Sequence, residues 1–256
     1  MRVAVIGLGE AGSTYARGLR DRGADVIGYD RAFELDDVGC APDAVSAARG
    51  ADLVLSLVCA ANAADVADEV ADVCQGAVFA DMNTGSRELK QHVTSRMARA
   101  GVPCADVAIM APILRHGIMT QLLTSGPGAA EVSRLFTALE VPISVVGTQP
   151  GDAASLKLTR SVFLKGLGSL VFESLRAAEA LGAHDWMLEQ MAGEFGPEGE
   201  TLVERLITGT RLHAVRRSHE MKDVREYLRS IDVPAEMTEG TIAWLDRIVA
   251  GDDRVS

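Results

Sequence analysis

The first twelve residues, Met1-Arg-Val-Ala-Val-Ile-Gly-Leu-Gly-Glu-Ala-Gly12, decide how the chain begins to fold. A short apolar run over residues 3–6 predicts a buried strand, and a helix-competent stretch follows over residues 13–22. The turn between them has the form Gly-x-Gly-x-x-Gly. In such units the glycines permit a tight turn, close approach of the backbone to a pyrophosphate, and close packing of the helix on the strand. The stretch therefore predicts a dinucleotide site formed by Gly7, Leu8, Gly9, Glu10, Ala11 and Gly12.

An acidic residue at the end of a second predicted strand supports this interpretation. That strand covers residues 24–30, and Asp30 stands 18 residues after Gly12. An acidic residue about 20 positions beyond the turn binds the ribose hydroxyls of the adenosine, and its charge repels a 2′-phosphate. NAD is therefore favoured as the cofactor. Arg31 leaves NADP open, because a neighbouring guanidinium can bind that phosphate.

The composition excludes several classes of partner. The 256 residues carry a formal net charge of −11, which argues against binding to nucleic acid or to anionic membrane surfaces. We find no apolar stretch long enough to cross a bilayer and no signal peptide ahead of the first strand. The cysteines at positions 40, 59, 74 and 104 lack CxxC or metal-ligand spacing. We therefore expect a cytoplasmic protein with reduced, buried cysteines and no metal site.

Short apolar runs alternate with helical patterns over the first 147 residues or so. The predicted strands cover residues 2–7, 24–30, 53–58, 77–82, 102–109, 121–125 and 142–146. The predicted helices lie near residues 11–22, 43–49, 62–74, 86–100 and 128–140. This alternation is typical of βαβ units, in which parallel strands are joined by helices. Residues 1–149 are therefore predicted to form an α/β Rossmann domain with a mostly parallel, doubly wound sheet.

The strand pattern ends after residue 149. One long helix is predicted over residues 152–181, and at 1.5 Å per residue it spans roughly 45 Å. Further helices are predicted near residues 184–193, 199–208, 211–230 and 235–250. Residues 150–256 are therefore predicted to form an all-α domain, joined to the first by the long helix. The core of this domain is thin for its length, so we expect a homodimer formed through it.

Lys157 is the candidate for proton transfer. The run Gly151-Asp-Ala-Ala-Ser-Leu-Lys157 places this lysine on the first or second turn of the long helix. That position is close to the carboxyl edge of the sheet, where open α/β sheets bind ligands. A lysine there can protonate the oxygen formed by hydride addition to a carbonyl, or deprotonate an alcohol, if its pKa falls to about 7–8. The alternative is an ordinary solvated lysine on a helix.

Several motifs together resemble the β-hydroxyacid dehydrogenase superfamily, which includes the 3-hydroxyisobutyrate and 6-phosphogluconate dehydrogenases. The glycine turn resembles the family's GxGxMG, and residues 151–157 match the spacing of G-x-G-x-x-x-K-x-x-x-N, whose lysine is catalytic in the family. Residues 106–112 stand where the family has its substrate loop, D-x-P-V-S-G-G. The similarity covers nearly the whole chain. It implies a two-domain fold, a nicotinamide cofactor and a catalytic role for Lys157.

The resemblance also implies further cofactor residues. Val58 and Cys59 match the M-L-P loop over the adenosine ribose, and Asn83 and Thr84 match the D-x-S-T segment that borders the cofactor. Lys222 and the following aspartate match K-D-x-x-x-A on a late helix, with the lysine reaching the nicotinamide side. That aspartate, Asp223, is expected to anchor Lys222 or its helix.

The substrate half departs from the family pattern. The Ser-Gly-Gly that binds the substrate carboxylate is replaced by Met110, Ala111 and Pro112, and the expected Asn is Ser161. The closest pattern is a phosphogluconate-dehydrogenase-like branch with a short helical C-terminal domain, which resembles this chain in residues 161–166 and 213–221. In the second stretch, helical spacing puts four residues on one side of a predicted helix: His213, Arg216, Arg217 and Glu220. Together they form either an anion-binding group or a solvated set of ion pairs.

These observations predict an NAD(P)-dependent oxidoreductase acting on a small, hydroxyacid-like substrate. Hydride would pass between the nicotinamide and a carbon that bears a hydroxyl or carbonyl group, with Lys157 as acid or base. Two alternatives remain. One is an imine reductase-like enzyme, for which Asp152 or Tyr227 could supply the acid. The other is a non-catalytic module that binds NAD(H).

Overall fold

The computed structural model describes residues 1–251, and the chain separates into two compact units, Met1–Lys157 and Leu158–Ser256. The expected boundary after residue 149 is therefore displaced into the long helix. The boundary lies later than expected because the start of that helix is hydrogen-bonded to residues of the first unit. The backbone N–H of Ala153 donates to Ser125 and that of Ala154 donates to Asp106. The last five residues of the predicted second domain lie outside the described residues.

Within the described residues, the strands of the first unit form one eight-stranded sheet. They are β1 (Arg2–Ile6), β2 (Asp25–Tyr29), β3 (Gly39–Cys40), β4 (Leu53–Ser56), β5 (Val78–Asp81), β6 (Cys104–Ile109), β7 (Leu122–Ser125) and β8 (Ile143–Gly147). The strand order is β3-β2-β1-β4-β5-β6-β7-β8, and every neighbouring pair is parallel except β6 and β7. The predicted mostly parallel, doubly wound sheet is confirmed. The two-residue strand β3 was not predicted, because it is too short to show alternation.

Helices connect these strands. They are α1 (Glu10–Arg20), α2 (Ala44–Ala48), α3 (Ala63–Val70), α4 (Arg87–Arg99), α5 (Ile113–His116) and α6 (Ala129–Ala138). The predicted helix near 62–74 is shorter than expected, since a 3₁₀ turn over Ala71–Val73 replaces its last part. The single-turn helix α5 was not predicted, because four residues carry no helical periodicity.

The sheet is buried on both faces, which explains the continuous apolar runs in its strands. Along β1, Val3 and Val5 belong to one core cluster, and Ala4 and Ile6 belong to the other. Successive side chains of a strand point to opposite faces, so both sets must be apolar when helices cover both sides. This arrangement brings the carboxyl ends of β1, β2, β4 and β5 to the same edge of the sheet.

The long helix α7 (Asp152–Glu179) begins in the first unit and continues into the second, which is helical throughout its described residues. The second unit continues with α8 (His184–Glu194), α9 (Gly199–Leu212), α10 (Ala214–Ser230) and α11 (Glu236–Val249). Two small cores hold it together, one around Phe172 and Leu175 and one around Met221 and Leu245. The predicted all-α C-terminal part, entered by a long helix, is confirmed.

The long helices, the His, Cys, Asp and Glu side chains and the cysteines can be described over the same residues. Over residues 1–251, no helix is both long and apolar enough to cross a membrane, and no group of three or more His, Cys, Asp or Glu residues is placed to hold a metal. All four cysteines are free. Cys74 and Cys104 are buried as expected, but Cys40 and Cys59 are exposed. Cys40 ends the edge strand β3 and Cys59 follows β4 in a loop, so neither lies under a covering helix.

Candidate functional site

The glycine turn between β1 and α1 has a geometry that requires glycine at two of its three positions. Gly7 has a φ of +95° and donates its N–H to the Tyr29 carbonyl at 2.8 Å. A Cβ at Gly7 would overlap the backbone of Leu57, and a Cβ at Gly12 would overlap the Gly7 carbonyl oxygen. Gly9, by contrast, has nothing within 4 Å of its missing Cβ. The open space above Gly9, at the start of α1, fits the approach of a pyrophosphate to backbone N–H groups.

The Asp30 carboxylate, at the end of β2, is hydrogen-bonded to this turn. Its Oδ2 accepts the Leu8 N–H at 2.7 Å, and its Oδ1 accepts the Ala32 N–H at 2.8 Å. A carboxylate has about four lone-pair sites, so it can still accept from ribose hydroxyls. Asp30 thus holds the turn in place and also presents negative charge beside it. Arg31 is exposed.

A cleft of about 230 Å³ lies over the carboxyl ends of β1, β2 and β4. It includes most of the residues that the sequence assigned to the adenosine half of a dinucleotide. The lining comprises Ile6, Gly7, Gly9, Tyr29, Asp30, Arg31, Ala44, Leu57, Val58, Cys59, Asn62, Val66 and Glu69. Gly7, Gly9, Asp30, Val58 and Cys59 were therefore brought together as expected.

A buried ionic cluster behind this edge was not anticipated. Lys90, only 1% exposed, pairs with Asp81 at 3.1 Å and with Asp106 at 3.3 Å. Burial acts to lower the pKa of Lys90, but the two carboxylates reverse this and raise it above its usual value. The signal was available, since Lys90 lies on the same face of α4 as Val93 and Met97, at i, i+3 and i+7. A lysine on an apolar helix face must find counter-charges when it is buried.

The cluster holds the loop that follows β5. The Lys90 ammonium also donates to the backbone oxygens of Asp81 and Asn83, at 3.0 and 2.7 Å. The Asn83 amide donates to Ser56 at 2.9 Å and to Asp81 at 2.8 Å, and the Asn83 side chain is buried. Asn83 therefore shapes this loop from inside. Thr84, the next residue, is exposed.

Lys157 lies beside the loop that follows β5. Its Nζ donates to the Thr84 hydroxyl at 3.1 Å. The helix that carries it is anchored to the same buried cluster, because Asp106 Oδ2 accepts the Ala154 N–H at 2.9 Å. Asp152 begins α7 and pairs with Arg87 at 2.9 Å. Lys157 is thus half-buried and held beside an exposed threonine at the carboxyl edge of the sheet, as the sequence predicted.

The loop after β6 offers few backbone donors to an anion. The Met110 N–H is already used, since it donates to the Gln121 carbonyl at 3.0 Å. Pro112 has no N–H and precedes α5 directly. Of the three expected substrate residues, only Ala111 could offer a backbone N–H. Arg115 and the neighbouring histidine are exposed at the end of α5.

The remaining predicted residues lie in the second unit. Ser161 accepts a hydrogen bond from Lys165 at 2.8 Å. His213 was expected on a helix face, but it lies between α9 and α10, where its carbonyl accepts the Arg217 N–H at 2.9 Å. Lys222 pairs with Asp246 at 3.8 Å. Lys222 is therefore paired with a carboxylate of α11 and not with Asp223, because α10 and α11 pack side by side.

Comparison with known proteins places these features in context. The family model described as the NAD binding domain of 6-phosphogluconate dehydrogenase matches residues 2–112, and a domain of unknown function, DUF1932, matches residues 178–248. An uncharacterized 28.5 kDa protein of Methanothermus fervidus is 26% identical over 249 residues, covering 94% of this chain and 96% of that protein.

Solved structures align over nearly the whole chain. The conserved protein MTH1747, described as structurally similar to 3-hydroxyacid dehydrogenases, is 26% identical with a TM-score of 0.80, covering 98% of both chains. The 3-hydroxyisobutyrate dehydrogenase of Mycobacterium tuberculosis shares the fold, with 16% identity and a TM-score of 0.80 over 98% of this chain and 94% of that one. Imine reductases also share the fold, with TM-scores of 0.63 and 0.64.

The matched cofactor domain and these similarities support an NAD(P)-dependent oxidoreductase. Through its two matched regions and its fold, the chain resembles the β-hydroxyacid dehydrogenase-like superfamily.

Proposed function

We propose that the protein is an NAD-dependent dehydrogenase that uses Lys157 as acid or base on a small, hydroxyacid-like substrate. The observation that carries this proposal is the placement of Lys157. Its ammonium lies 3.1 Å from the Thr84 hydroxyl, at the strand edge that also holds the glycine turn. A lysine held at this edge is within the region where open α/β sheets bind their ligands.

The cofactor would be held by the residues that line the cleft. The turn over residues 7–12 and the start of α1 would bind the pyrophosphate, and Asp30 would accept from the ribose hydroxyls. Val58 and Cys59 would border the adenosine, and Thr84 would border the nicotinamide half. The role of Lys222 towards the nicotinamide rests on the family resemblance alone. When bound, NAD would supply or accept the hydride.

Lys157 would handle the proton that accompanies this hydride. In the reduction direction its ammonium donates a proton to the oxygen of the carbonyl that is being reduced, and the neutral amine remains. In the oxidation direction the neutral amine removes the hydroxyl proton of the alcohol. The Thr84 hydroxyl accepts from Nζ and so fixes the direction in which the ammonium points.

The choice of cofactor is tested by titrating the protein with NADH and with NADPH and following nicotinamide fluorescence. We expect tighter binding of NADH, since the Asp30 carboxylate repels a 2′-phosphate. Asp30→Asn keeps an acceptor for the Leu8 N–H and removes the charge, so it should reduce this difference by weakening NADH and sparing NADPH. A clear preference of the unmodified protein for NADPH would contradict the assignment to Asp30 and would favour a role for Arg31.

The chemical role is tested by a screen of hydroxyacids, aldehydes and ketones with two variants of the lysine. Lys157→Met removes the proton carrier, and Lys157→Arg keeps a cation that cannot be deprotonated at ordinary pH. Both variants should bind NADH as the unmodified protein does and should lose at least about 100-fold in kcat. Full activity in either variant would show that Lys157 is not the acid or base.

Imine reduction is the second candidate, because imine reductases share the fold. One of the two candidate acids for that reaction, Asp152, is engaged with Arg87 at 2.9 Å, which favours Lys157 over it. Cyclic imines therefore belong in the same screen. Turnover of imines but not of alcohols would support this candidate. Tight NADH binding without turnover of any compound would support a non-catalytic NAD(H)-binding module.

The protein is also proposed to act as a homodimer formed through its helical part. Phe163 and Leu170 lie seven residues apart on α7 and are 67% and 53% exposed. Apolar side chains in such a row are typical of helices that pack against a second copy.

The four free thiols, together with the absence of any disulfide over residues 1–251, are compatible with a reducing compartment. We propose the cytoplasm. Fractionation of cells that express a tagged form of the protein would test this, and recovery outside the cytoplasmic fraction would contradict it.

A further inference from the structure

The second unit contains a polar cluster that the proposed redox chemistry does not use. It joins the two stretches that stood out in the sequence, residues 161–166 on α7 and residues 213–221 at α10. Lys165 Nζ contacts Glu220 Oε2 at 2.8 Å and the Ser161 hydroxyl at 2.8 Å. Arg216 lies 3.7 Å from the other oxygen of Glu220. Arg217 follows on the same helix and donates to the Thr210 hydroxyl at 2.7 Å.

The charges in this cluster do not balance. Lys165, Arg216 and Arg217 each carry one positive charge, and Glu220 carries the negative charge that they share. No carboxylate within residues 1–251 forms an ion pair with Arg217. Asp223 lies one turn beyond Glu220, where burial raises its pKa, and the cation that acts to lower its pKa is His219 rather than Lys165, Arg216 or Arg217. The cluster therefore keeps an excess of positive charge.

Two of the three cations, Lys165 and Arg217, are partly buried. The Lys165 side chain is 17% exposed, and burial lowers its pKa despite the pairing with Glu220. Burial likewise lowers the pKa of Arg217, against the effect of Glu220. A cation that is removed from water without a counter-charge is costly, and an anion bound beside it offsets that cost.

Two glycines make room for the Arg217 guanidinium. A Cβ at Gly209 of α9 would lie 3.2 Å from its Nη2, and a Cβ at Gly168 of α7 would lie 3.9 Å from its Nη1. The planar group therefore occupies space that side chains would fill at these positions. One bond to Thr210 uses one of its five donors, which leaves others for a planar acceptor.

We propose that Lys165 and Arg217, with Arg216 at the rim, form a binding site for the carboxylate or phosphate group of a small molecule. Glu220 and Ser161 hold the Lys165 ammonium, and Thr210 holds the guanidinium. The oxyanion accepts hydrogen bonds from the ammonium and from the guanidinium. The site lies within the second unit, so it stands independently of the cofactor assignment and of the role of Lys157.

The proposal is tested by calorimetric titration of the full chain with sodium phosphate and, separately, with sodium malonate, at constant ionic strength set by KCl. We expect saturable binding of at least one of them. A hydrogen bond to a charged group is stronger than one between neutral groups, so Arg217→Gln and Lys165→Gln should each weaken binding by roughly 10-fold or more. Binding of malonate alone identifies a carboxylate ligand, and binding of phosphate alone identifies a phosphate ligand.

A matched control is available on the same helix. Arg229 pairs with Glu226 and Glu239 and is 56% exposed, so Arg229→Gln should leave the affinity unchanged. If the buried variants do not fold, Arg216→Gln still tests the site, because this side chain is 63% exposed and its removal should weaken binding several-fold. Absence of saturable binding to the unmodified protein overturns the proposal. So does an affinity that Arg217→Gln and Arg216→Gln leave unchanged, since the anion then binds elsewhere.

Discussion

Gly9 and Gly12 belong to one motif, yet the space around them differs completely. The position of a Cβ at Gly12 is already occupied by the Gly7 carbonyl oxygen, whereas a Cβ at Gly9 would meet nothing within 4 Å. Gly12 is therefore required for the turn to form, whereas Gly9 leaves room for the bound cofactor. This distinction follows from the geometry and is consistent with the roles that the motif predicts.

Changing each of the two glycines to alanine should therefore affect different properties, stability in one case and NADH binding in the other. Gly12→Ala forces the turn apart and should lower the free energy of unfolding by about 1–3 kcal/mol. Gly9→Ala should change it by less than about 1 kcal/mol, since the φ of −63° suits alanine. It should nevertheless weaken NADH binding by roughly tenfold or more, because the methyl group occupies the pyrophosphate space. Urea unfolding and NADH titration of both variants check this, and similar stability losses in the two would contradict it.

Lys90 should be the most sensitive charged residue for stability. Lys90→Met leaves Asp81 and Asp106 buried without their cation, which should cost about 3–5 kcal/mol. The matched change Lys222→Met removes an exposed pair and should cost less than about 1 kcal/mol. Because the pKa of Lys90 is raised above 10.5, its contribution is fully present below that pH and is lost as the pH rises above it. Urea unfolding between pH 7 and 11 measures both effects, and equal losses in the two variants would refute the assignment.

The elements around the site act together because α7 starts on the buried ionic cluster. Asp106 of β6 accepts both from the backbone of α7 and from the Ser125 hydroxyl, and it also pairs with Lys90. Lys90 in turn binds the loop that presents Thr84. The sheet edge, α4 and α7 are thus connected through one set of charged groups. These contacts fix the start of α7 and so the position of Lys157.

The loop after β4 offers a test of the cleft by thiol labelling. Cys59 lines the cleft, whereas Cys40, which is also exposed, is not among its lining residues. Burial raises the pKa of Cys74 and Cys104 to about 12, so both stay protonated and unreactive at pH 8. Iodoacetamide should therefore label only Cys40 and Cys59 in the native protein, as read by mass spectrometry. NADH should protect Cys59 and leave Cys40 reactive, and equal labelling of the two with NADH would contradict the location of the cofactor.

At the scale of the whole molecule, the thin helical cores should limit the stability of an isolated chain. If the exposed row on α7 is covered by a second copy, the double variant Phe163→Glu, Leu170→Glu should be monomeric in sedimentation experiments. The unmodified protein should sediment as a dimer at micromolar concentration. Exposed Met237 of α11, changed to Glu, serves as the control and should leave the dimer intact. A monomeric unmodified protein would refute the proposal.

The sequence by itself determined the alternation of strands and helices apart from the short β3 and α5, the glycine turn, the acidic end of β2 and the position of Lys157 near the start of the long helix. These features depend on local periodicity and on spacing within short motifs, which neighbouring residues express directly. Only the tertiary structure decided the pairing of Lys90 with Asp81 and Asp106, the internal position of Asn83, and the meeting of Lys165 with Glu220. In each case the partners are remote or on different elements. Their interaction energy depends on burial and on packing, which no local pattern encodes.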